Sequence, residues 1–263
     1  MSIRSAAERR YELVQILEAQ GSLSYDELAE QLQVSSMTIR RDVDLLSNEG
    51  IVSRPVSGKI ALKRDVLFEL NLEQKKYVRL AQKRAIAAFC AGLVEENEMV
   101  FIDAGTTNTE VARSLATRSG VAIVTNSLSV ASVVAMADGA CLSMCPGSYR
   151  RRSADFLGVL AIDFLNRQDI DIAFIGVAGI SPGFGLSVSN VPEWVFKKSL
   201  VARAKKTICA ADSSKLGMEW LCSICPLCKV DLIVTDEGIS DQMAAACHAA
   251  GTDVAIVDSR RFS

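Results

Sequence analysis

The sequence has one histidine, no long uninterrupted apolar run and almost no excess of charge: 29 Lys+Arg stand against 31 Asp+Glu. The longest apolar stretches, such as "AIAAFCAGLV" and "VLAIDFL", are too short or too interrupted by charge to cross a bilayer, which takes about 20 apolar residues. The opening "MSIRSAAERRYE" lacks the hydrophobic core of a signal peptide. A cytoplasmic protein with no membrane partner is expected. The net charge of −2 names no partner by itself. His248 lies in a late apolar stretch, "DQMAAACHAAG", with no partner motif near it, and is read as structural rather than catalytic. Cysteines number eight, and Cys90, Cys141 and Cys209 fall inside apolar runs. They read as small buried hydrophobes in a reducing compartment, not as a disulfide framework.

What is present is ordinary globular composition, 49% apolar and 23% charged over 263 residues, enough for a sizeable core in one large domain or in a small and a larger one. The first sixty residues have a helical texture. Leu13, Ile16 and Leu17 recur at helical spacing and Gly21 stops that helix; Ser24 and Glu27 have capping-box spacing before Leu28 and Leu32. A third helix starts at Ser35 or Ser36, with Ile39, Val43 and Leu46 inward and Gly50 at its end. "IVSRPVSGKIAL" then reads as a hairpin.

Three short helices and a hairpin describe a small winged helix-turn-helix domain over residues 1–62. Its third helix would offer Ser35, Ser36, Met37, Thr38, Arg40 and Arg41 to a major groove of double-stranded DNA. Residues 1–64 carry nine basic and nine acidic side chains, so total charge gives DNA binding no support. Residues 40–64 carry six basic (Arg40, Arg41, Arg54, Lys59, Lys63, Arg64) against three acidic, so binding would use a local stripe that includes Arg54 and Lys59. The alternative is a helical protein-interaction module.

Residues 63–82 read as a linker running into a helix that carries Lys83 and Ile86, and residues 83–263 alternate. Strand-like runs occur at "MVFIDAG", "VAIVTNS", "ACLSMCPG", "IDIAFIGVAG", "KTICAADSS", "VDLIVTD" and "DVAIVDS", most separated by helix-like segments, which means an α/β domain with a mostly parallel sheet. Almost every run ends in small or polar residues, and the carboxyl edge of such a sheet is where ligands bind. Gly105 would let the backbone approach a ligand while Thr106, Thr107 and a helix N-terminus supply donors to an anion; Arg150 and Lys215 add cationic charge. Together they suit a phosphorylated or otherwise anionic small polyol. Taken singly, D-A-G-T-T and T-N-S also read as strand-to-helix caps.

In their order and spacing, "VSSMTIRRDVDLLSNEGIV", "FIDAGTT", "VTNS", "GSYR", "GVAGI", "GLS", "PEWVFKK", "ADSSKLG" and "VTD" resemble a DeoR-family transcriptional regulator over nearly the whole chain. The resemblance implies a sensor domain related in fold to sugar-phosphate isomerases, binding a sugar phosphate or related metabolite, and usually a repressor that its ligand releases from operator DNA. It assigns Ser36, Thr38, Arg40 and Arg41 to DNA. It assigns Asp103, Gly105, Thr106, Thr107, Asn126, Ser127, Gly147, Arg150, Gly176, Gly179, Glu193, Lys197, Asp212 and Lys215 to the effector pocket or its walls. The chain departs from the family where Val56-Ser57-Gly58 replaces a Gly-Gly wing, where Pro146-Gly147 replaces a Gly-Gly before the arginine, and near Phe68, where Asn71 and Leu72 replace an arginine.

The rival reading is a sugar-phosphate isomerase-like enzyme with an appended winged-helix module, for which Asp103, Glu193, Asp212 and Asp236 are available carboxylates. A complete DNA-reading unit is hard to explain on such an enzyme, so a non-enzymatic regulator without a cofactor is expected, a homodimer or homotetramer because operators for helix-turn-helix proteins are commonly two-fold. Cys222, Cys225 and Cys228 sit at two consecutive C-x-x-C spacings. No fourth ligand has recognisable spacing to them, so no metal is assigned; a redox-sensing thiol pair and one helix turn of small apolar residues are the other readings.

Overall fold

A computed structural model describes residues 6–48, 52–53, 58–62, 75 and 78–262. The chain divides into two compact units, Met1–Val78 and Arg79–Ser263.

In the first unit, helix α1 (Ala6–Gln20) buries Leu13, Val14 and Leu17 and stops where Gly21, at φ 82°, donates back to the Leu17 carbonyl. Helix α2 (Tyr25–Leu32) opens on the expected capping box: Glu27 N–H donates to Ser24 Oγ at 3.3 Å, and Ser24 N–H donates to Glu27 Oε2 at 2.7 Å. Helix α3 (Ser36–Asn48) starts behind Ser35, whose Oγ accepts the Thr38 N–H at 3.2 Å. Ile39, Val43 and Leu46 are fully buried against Leu13, Leu17, Leu28 and Leu32. Strands β1 (Val52–Ser53) and β2 (Ala61–Leu62) pair antiparallel, and an antiparallel bridge between Leu23 and Ile60 extends this wing. Asp42, buried on α3, is held by Arg9 through Nε at 2.5 Å and Nη2 at 3.2 Å, which fixes α1 across α3. The unit is a winged helix-turn-helix.

The second unit begins with α4 (Leu80–Gly92) and then alternates: β3 (Met99–Ile102), α5 (Thr106–Leu115), β4 (Ala122–Thr125), α6 (Leu128–Ala135) and β5 (Cys141–Met144). A hairpin, β6 (Ser148–Arg150) and β7 (Asp155–Leu157), leads to α7 (Val159–Leu165) and β8 (Ile172–Ile175). There follow β9 (Gly179–Ser181), β10 (Gly185–Val188), α8 (Val191–Arg203), β11 (Lys206–Ala210), β12 (Cys222–Cys225), β13 (Leu232–Asp236), α9 (Asp241–Ala249) and β14 (Asp253–Val257). All seven strand-like runs of the sequence enter one parallel sheet, in the order β14-β13-β11-β8-β3-β4-β5. Successive residues point to opposite faces: Val100 and Ile102 pack under α4, α5 and α6, while Phe101 packs with Phe196 and Leu200 of α8 on the other side. A covered sheet explains the near-continuous apolar strands.

Two expectations fail here. Cys222–Cys225 is not a helix turn but a strand, paired antiparallel with β10, because Ile224 and Cys225 fill the core behind β11 and β13 and the Ser223 carbonyl accepts the Trp194 indole N–H at 2.7 Å. Cys141 is exposed, unlike the buried Cys90 and Cys209, because β5 is the uncovered edge of the sheet.

Removing the α2 cap should be felt through the whole first unit, since α2 sets where α3 begins. Ser24→Ala is expected to destabilise it by about 1 kcal/mol, read as a shift of the denaturant midpoint by circular dichroism.

Candidate functional site

The strand order runs from β3 outward through β4 to β5, then returns to β8 and continues through β11, β13 and β14, so the topological switch point lies between the carboxyl ends of β3 and β8. Ligands of open parallel sheets bind at such a point. Here Asp103 follows β3 and Gly176 follows β8. Asp103 Oδ2 accepts the Gly176 N–H at 3.0 Å and forms a close ion pair with Lys197 Nζ, which also donates to the Gly176 carbonyl at 2.8 Å. Asn108 Nδ2 donates to the carbonyls of Asp103 and Phe174, each at 3.1 Å. A Cβ on Gly176 would stand 2.5 Å from the Ala104 carbonyl oxygen, so only glycine lets the β8 turn close on the D-A-G turn.

Helix α8 delivers the cation. Asn190 caps it, accepting the Glu193 N–H at 3.0 Å, with Pro192 in the first turn; Glu193 and Lys197 then lie one turn apart on its inner face. Glu193 pairs closely with Arg150, which also reaches Asp155 at 3.0 Å, Asn190 at 2.7 Å and Ser153 at 2.6 Å. Asp103, Lys197, Glu193, Arg150 and Asp155 thus form a continuous run of alternating charges, four of the five buried. Burial pushes the Glu193 carboxyl up, but Lys197 and Arg150 outweigh it and hold the group below its usual value. Burial opposes the Lys197 ammonium, and Asp103 and Glu193 raise it regardless. For Asp155 burial wins, and its carboxyl is raised despite Ser153 and Arg150.

Beside this run are polar groups left without a partner. Asp103 Oδ1 and both amide atoms of Asn126 are buried, and among the described residues none of the three finds a hydrogen bond. Gly105 caps α5 at φ 142° with open space where a side chain would stand, and Thr106 and Thr107 form the first turn of α5. Asp212 and Lys215 lie one strand over, on the 3-10 turn Ser213–Lys215 after β11. Burial raises the Asp212 carboxyl, and Lys215, Ser214, Lys83 and Arg79 bring it below its usual value.

Three expected wall residues also have roles in the fold itself. Ser127 Oγ accepts the Val130 N–H at 3.3 Å as the cap of α6, so the cap reading of T-N-S holds for its serine. Gly147 lets β6 close on β7, where a Cβ would meet the Leu157 oxygen at 2.6 Å. Gly179, on β9, faces the Met218 backbone, whose oxygen would stand 2.3 Å from a Cβ. Asn108, Ser153, Asp155 and Asn190 were not singled out from the sequence. Asp155 had a signal, an acidic residue five positions after Arg150; the other three read as ordinary helix and turn residues.

On α3, Met37, Arg40 and Arg41 are exposed, with the Arg40 guanidinium 5.2 Å from the Tyr25 ring centroid. Ser35 and Thr38 are joined through their hydroxyls at 2.9 Å, and Ser36 Oγ donates to Asp26 at 2.7 Å, which ties α3 to α2. Lys59 is exposed beside β2; Arg54 lies outside the described residues. His248 is half exposed on α9, 3.6 Å from Asp253. Among the described residues no three His, Cys, Asp or Glu side chains are grouped to hold a metal ion. Cys222 is half-buried, Cys228 exposed, and burial pushes the Cys225 thiol up to about 11, away from the thiolate that redox exchange or metal ligation requires. No helix among the described residues is long and apolar enough to cross a membrane.

A winged helix-turn-helix followed by an α/β unit with polar groups gathered at its switch point defines a DNA-binding transcriptional regulator with a sensor domain. The DeoR-like helix-turn-helix domain matches residues 9–64 and the DeoR C terminal sensor domain matches residues 78–237, so the chain belongs to the DeoR family. It is 31% identical to the putative aga operon transcriptional repressor of Escherichia coli O157:H7 over 97% of this chain and 95% of that one. It is 27% identical to the glycerol-3-phosphate regulon repressor of Escherichia coli K12, over 87% and 90%. Ribose 5-phosphate isomerase A of Methanocaldococcus jannaschii has a TM-score of 0.38 at 18% identity, over 51% of this chain and 53% of that one. At those values the likeness says nothing of activity.

Two outcomes are expected from the charge run. Lys197→Met leaves the Asp103 carboxylate buried without its cation and should cost about 3–5 kcal/mol in denaturant unfolding, with most of it restored in the Lys197→Met, Asp103→Asn double variant. The Glu193 carboxyl, being depressed in the folded state, contributes stability above its unfolded value that is lost as pH falls through the folded one. Wild-type thermal midpoints should therefore drop on acidification below the usual carboxylate range, and Glu193→Gln should flatten that drop.

Proposed function

We propose that this regulator is a repressor whose sensor domain binds a phosphorylated sugar or polyol at the carboxyl edge of the sheet, and that the bound effector weakens its hold on operator DNA. The observation that carries the reading is the pairing of unmet buried polar atoms, Asp103 Oδ1 and the Asn126 amide, with the charge run at the switch point. Leaving such atoms unpaired costs about 1–3 kcal/mol each, and ligand hydroxyls offer the donor and acceptor they lack. The N-terminus of α5 behind Gly105, with Lys215 nearby in the fold order, suits an anionic group. The names of two relatives, a putative repressor of an aga operon and the repressor of a glycerol-3-phosphate regulon, support the repressor half of the proposal.

Catalysis is not part of the reading. A general base works with a pKa near the operating pH, whereas Glu193 and Asp212 are held below their usual values and Asp103 is tied to Lys197. Asp236 accepts from Ser213 N–H, Ser213 Oγ and Gly238 N–H, which commits it to its own turn. DNA contact is assigned to Met37, Arg40 and Arg41 of α3 and Lys59 of the wing, with Ser35, Ser36 and Thr38 setting the start of that helix. A two-fold operator calls for at least a homodimer.

Gel shift or footprinting on DNA flanking its own gene tests the proposal directly. A specific complex that a panel of pentose, hexose and glycerol phosphates weakens supports it; no specific complex at low and moderate salt overturns it, and turnover of any member of the panel overturns the non-enzymatic reading. Arg41→Ala is expected to lower operator affinity about tenfold and to reduce the salt slope by about one, as for a lost phosphate contact. The same variant should keep its ligand-induced rise in thermal midpoint, measured by differential scanning fluorimetry.

A further inference from the structure

Val78 and Arg79, neighbours in the chain, belong to different units. Val78 is buried in the core of the winged-helix unit with Leu13, Ile39 and Val43, and Arg79 is the first residue of the sensor unit. We propose that Arg79 is a positioning residue that passes the occupancy of the sheet's carboxyl edge to the DNA-binding unit; this rests on the effector reading above.

Three observations carry it. The Arg79 side chain runs onto the ends of β11 and β13, where Nη1 donates to Ser213 Oγ at 3.1 Å and the guanidinium stands 3.8 Å from Asp212 and 3.9 Å from Asp236. These are the acidic residues that flank the Ser213–Lys215 turn, so a residue at the joint is tied to the edge proposed to hold the ligand. Second, both carboxylates are satisfied without it. Asp212 Oδ1 accepts from Ser214 N–H at 3.1 Å and Ser214 Oγ at 2.5 Å, and Asp236 accepts from Ser213 N–H at 2.7 Å, Ser213 Oγ at 2.8 Å and Gly238 N–H at 3.1 Å. Both carboxylates therefore keep these hydrogen bonds when Arg79 exchanges partners.

Third, the Arg79 backbone is left-handed, at φ 50° and ψ 42°, a region that side chains other than glycine rarely adopt. Its carbonyl accepts the Lys83 N–H at 3.0 Å and starts α4. The guanidinium contacts oppose relaxation of that conformation. An anion at the edge that draws the guanidinium off Asp212 and Asp236 frees the backbone of residue 79, which starts α4. The binding of an anion and the state of the joint are then coupled in both directions.

The test uses the full chain as wild type, Arg79→Gln and Arg79→Lys. Operator affinity is measured by fluorescence anisotropy without ligand and with glycerol 3-phosphate or ribose 5-phosphate, each at a concentration that saturates that protein's own thermal shift. Wild type is expected to lose about tenfold in affinity on adding ligand. Arg79→Gln should bind the operator about tenfold more weakly than wild type already without ligand, keep its helical circular dichroism and its ligand-induced thermal shift, and lose less than about twofold further on adding ligand, and Arg79→Lys should recover part of the ligand-free affinity and of the response. If Arg79→Gln responds as wild type does, the proposal is overturned while the effector reading stands. If it keeps wild-type affinity without ligand, or loses helical circular dichroism or its thermal shift together with operator affinity, the proposal is overturned. A wild type that binds the operator but answers to neither phosphate nor any other member of the panel overturns the effector reading and this inference together.

Discussion

The buried contact between Asp103 and Lys197 organises the sensor unit. One carboxylate oxygen takes both the ammonium and the Gly176 N–H, and the ammonium takes the Gly176 carbonyl, so β3, β8 and α8 meet at one point. Charges taken out of water need close partners with good geometry, and a pair of this kind contributes position more than net stability. Its position then dictates the next charges along. Lys197 places Glu193 one turn earlier on α8; Glu193 draws Arg150, and Arg150 fixes the β6–β7 hairpin through Asp155. That hairpin lies across the end of β4, where the Phe156 N–H donates to the Asn126 carbonyl at 2.7 Å. The Asn126 amide is thereby enclosed without being satisfied. An edge that buries charges in pairs and leaves an amide unmet carries a cost that the hydroxyls of the proposed effector would recover.

Much of the fold was legible because its strands are covered on both faces. Each of the seven strands of the parallel sheet shows a run of apolar residues that no other local structure needs, and the polar residues closing each run mark one sheet edge. The short antiparallel strands were not legible. β9, β10 and β12 have three or four residues each, mix small and polar side chains, and are fixed by partners far along the chain, as when Leu186 faces Cys225. The three cysteines illustrate the ambiguity: a spacing of three suits a helix turn as well as a strand and its following turn, and only the pairing with β10 decides. Cys141 was misread for a related reason, since an edge strand has the apolar composition of a central one.

The site was legible at the level of motif and less so at the level of atom. D-A-G-T-T and P-E-W-V-F-K-K announce Asp103, Glu193 and Lys197, yet nothing in their spacing says that they pair across the switch point. Ser127, Gly147 and Gly179 carry the same motif signal, and their side chains or their lack of one serve a helix cap and two close backbone approaches. Local chemistry at a strand end is the same whether a hydroxyl meets a helix N-terminus or a ligand. Arg79 had no motif at all, because its partners lie more than a hundred residues away.

The winged-helix unit poses the opposite problem, since its basic and acidic residues balance and charge alone gives it no reason to meet DNA. Placement resolves this. On α3 the acid next to the arginines, Asp42, is buried and taken up by Arg9, while Arg40 and Arg41 stay in solvent and Arg40 is braced over Tyr25. The helix therefore hides Asp42 in the interior and keeps Arg40 and Arg41 outward, with Asp44 exposed as well. The cation that neutralises Asp42 comes from α1, so the same ion pair that fixes the angle of α3 also takes a negative charge off the surface beside Arg40 and Arg41. The Arg-Arg-Asp triplet thus combines two solvent-facing cations, proposed above to meet DNA, with one acid for the core.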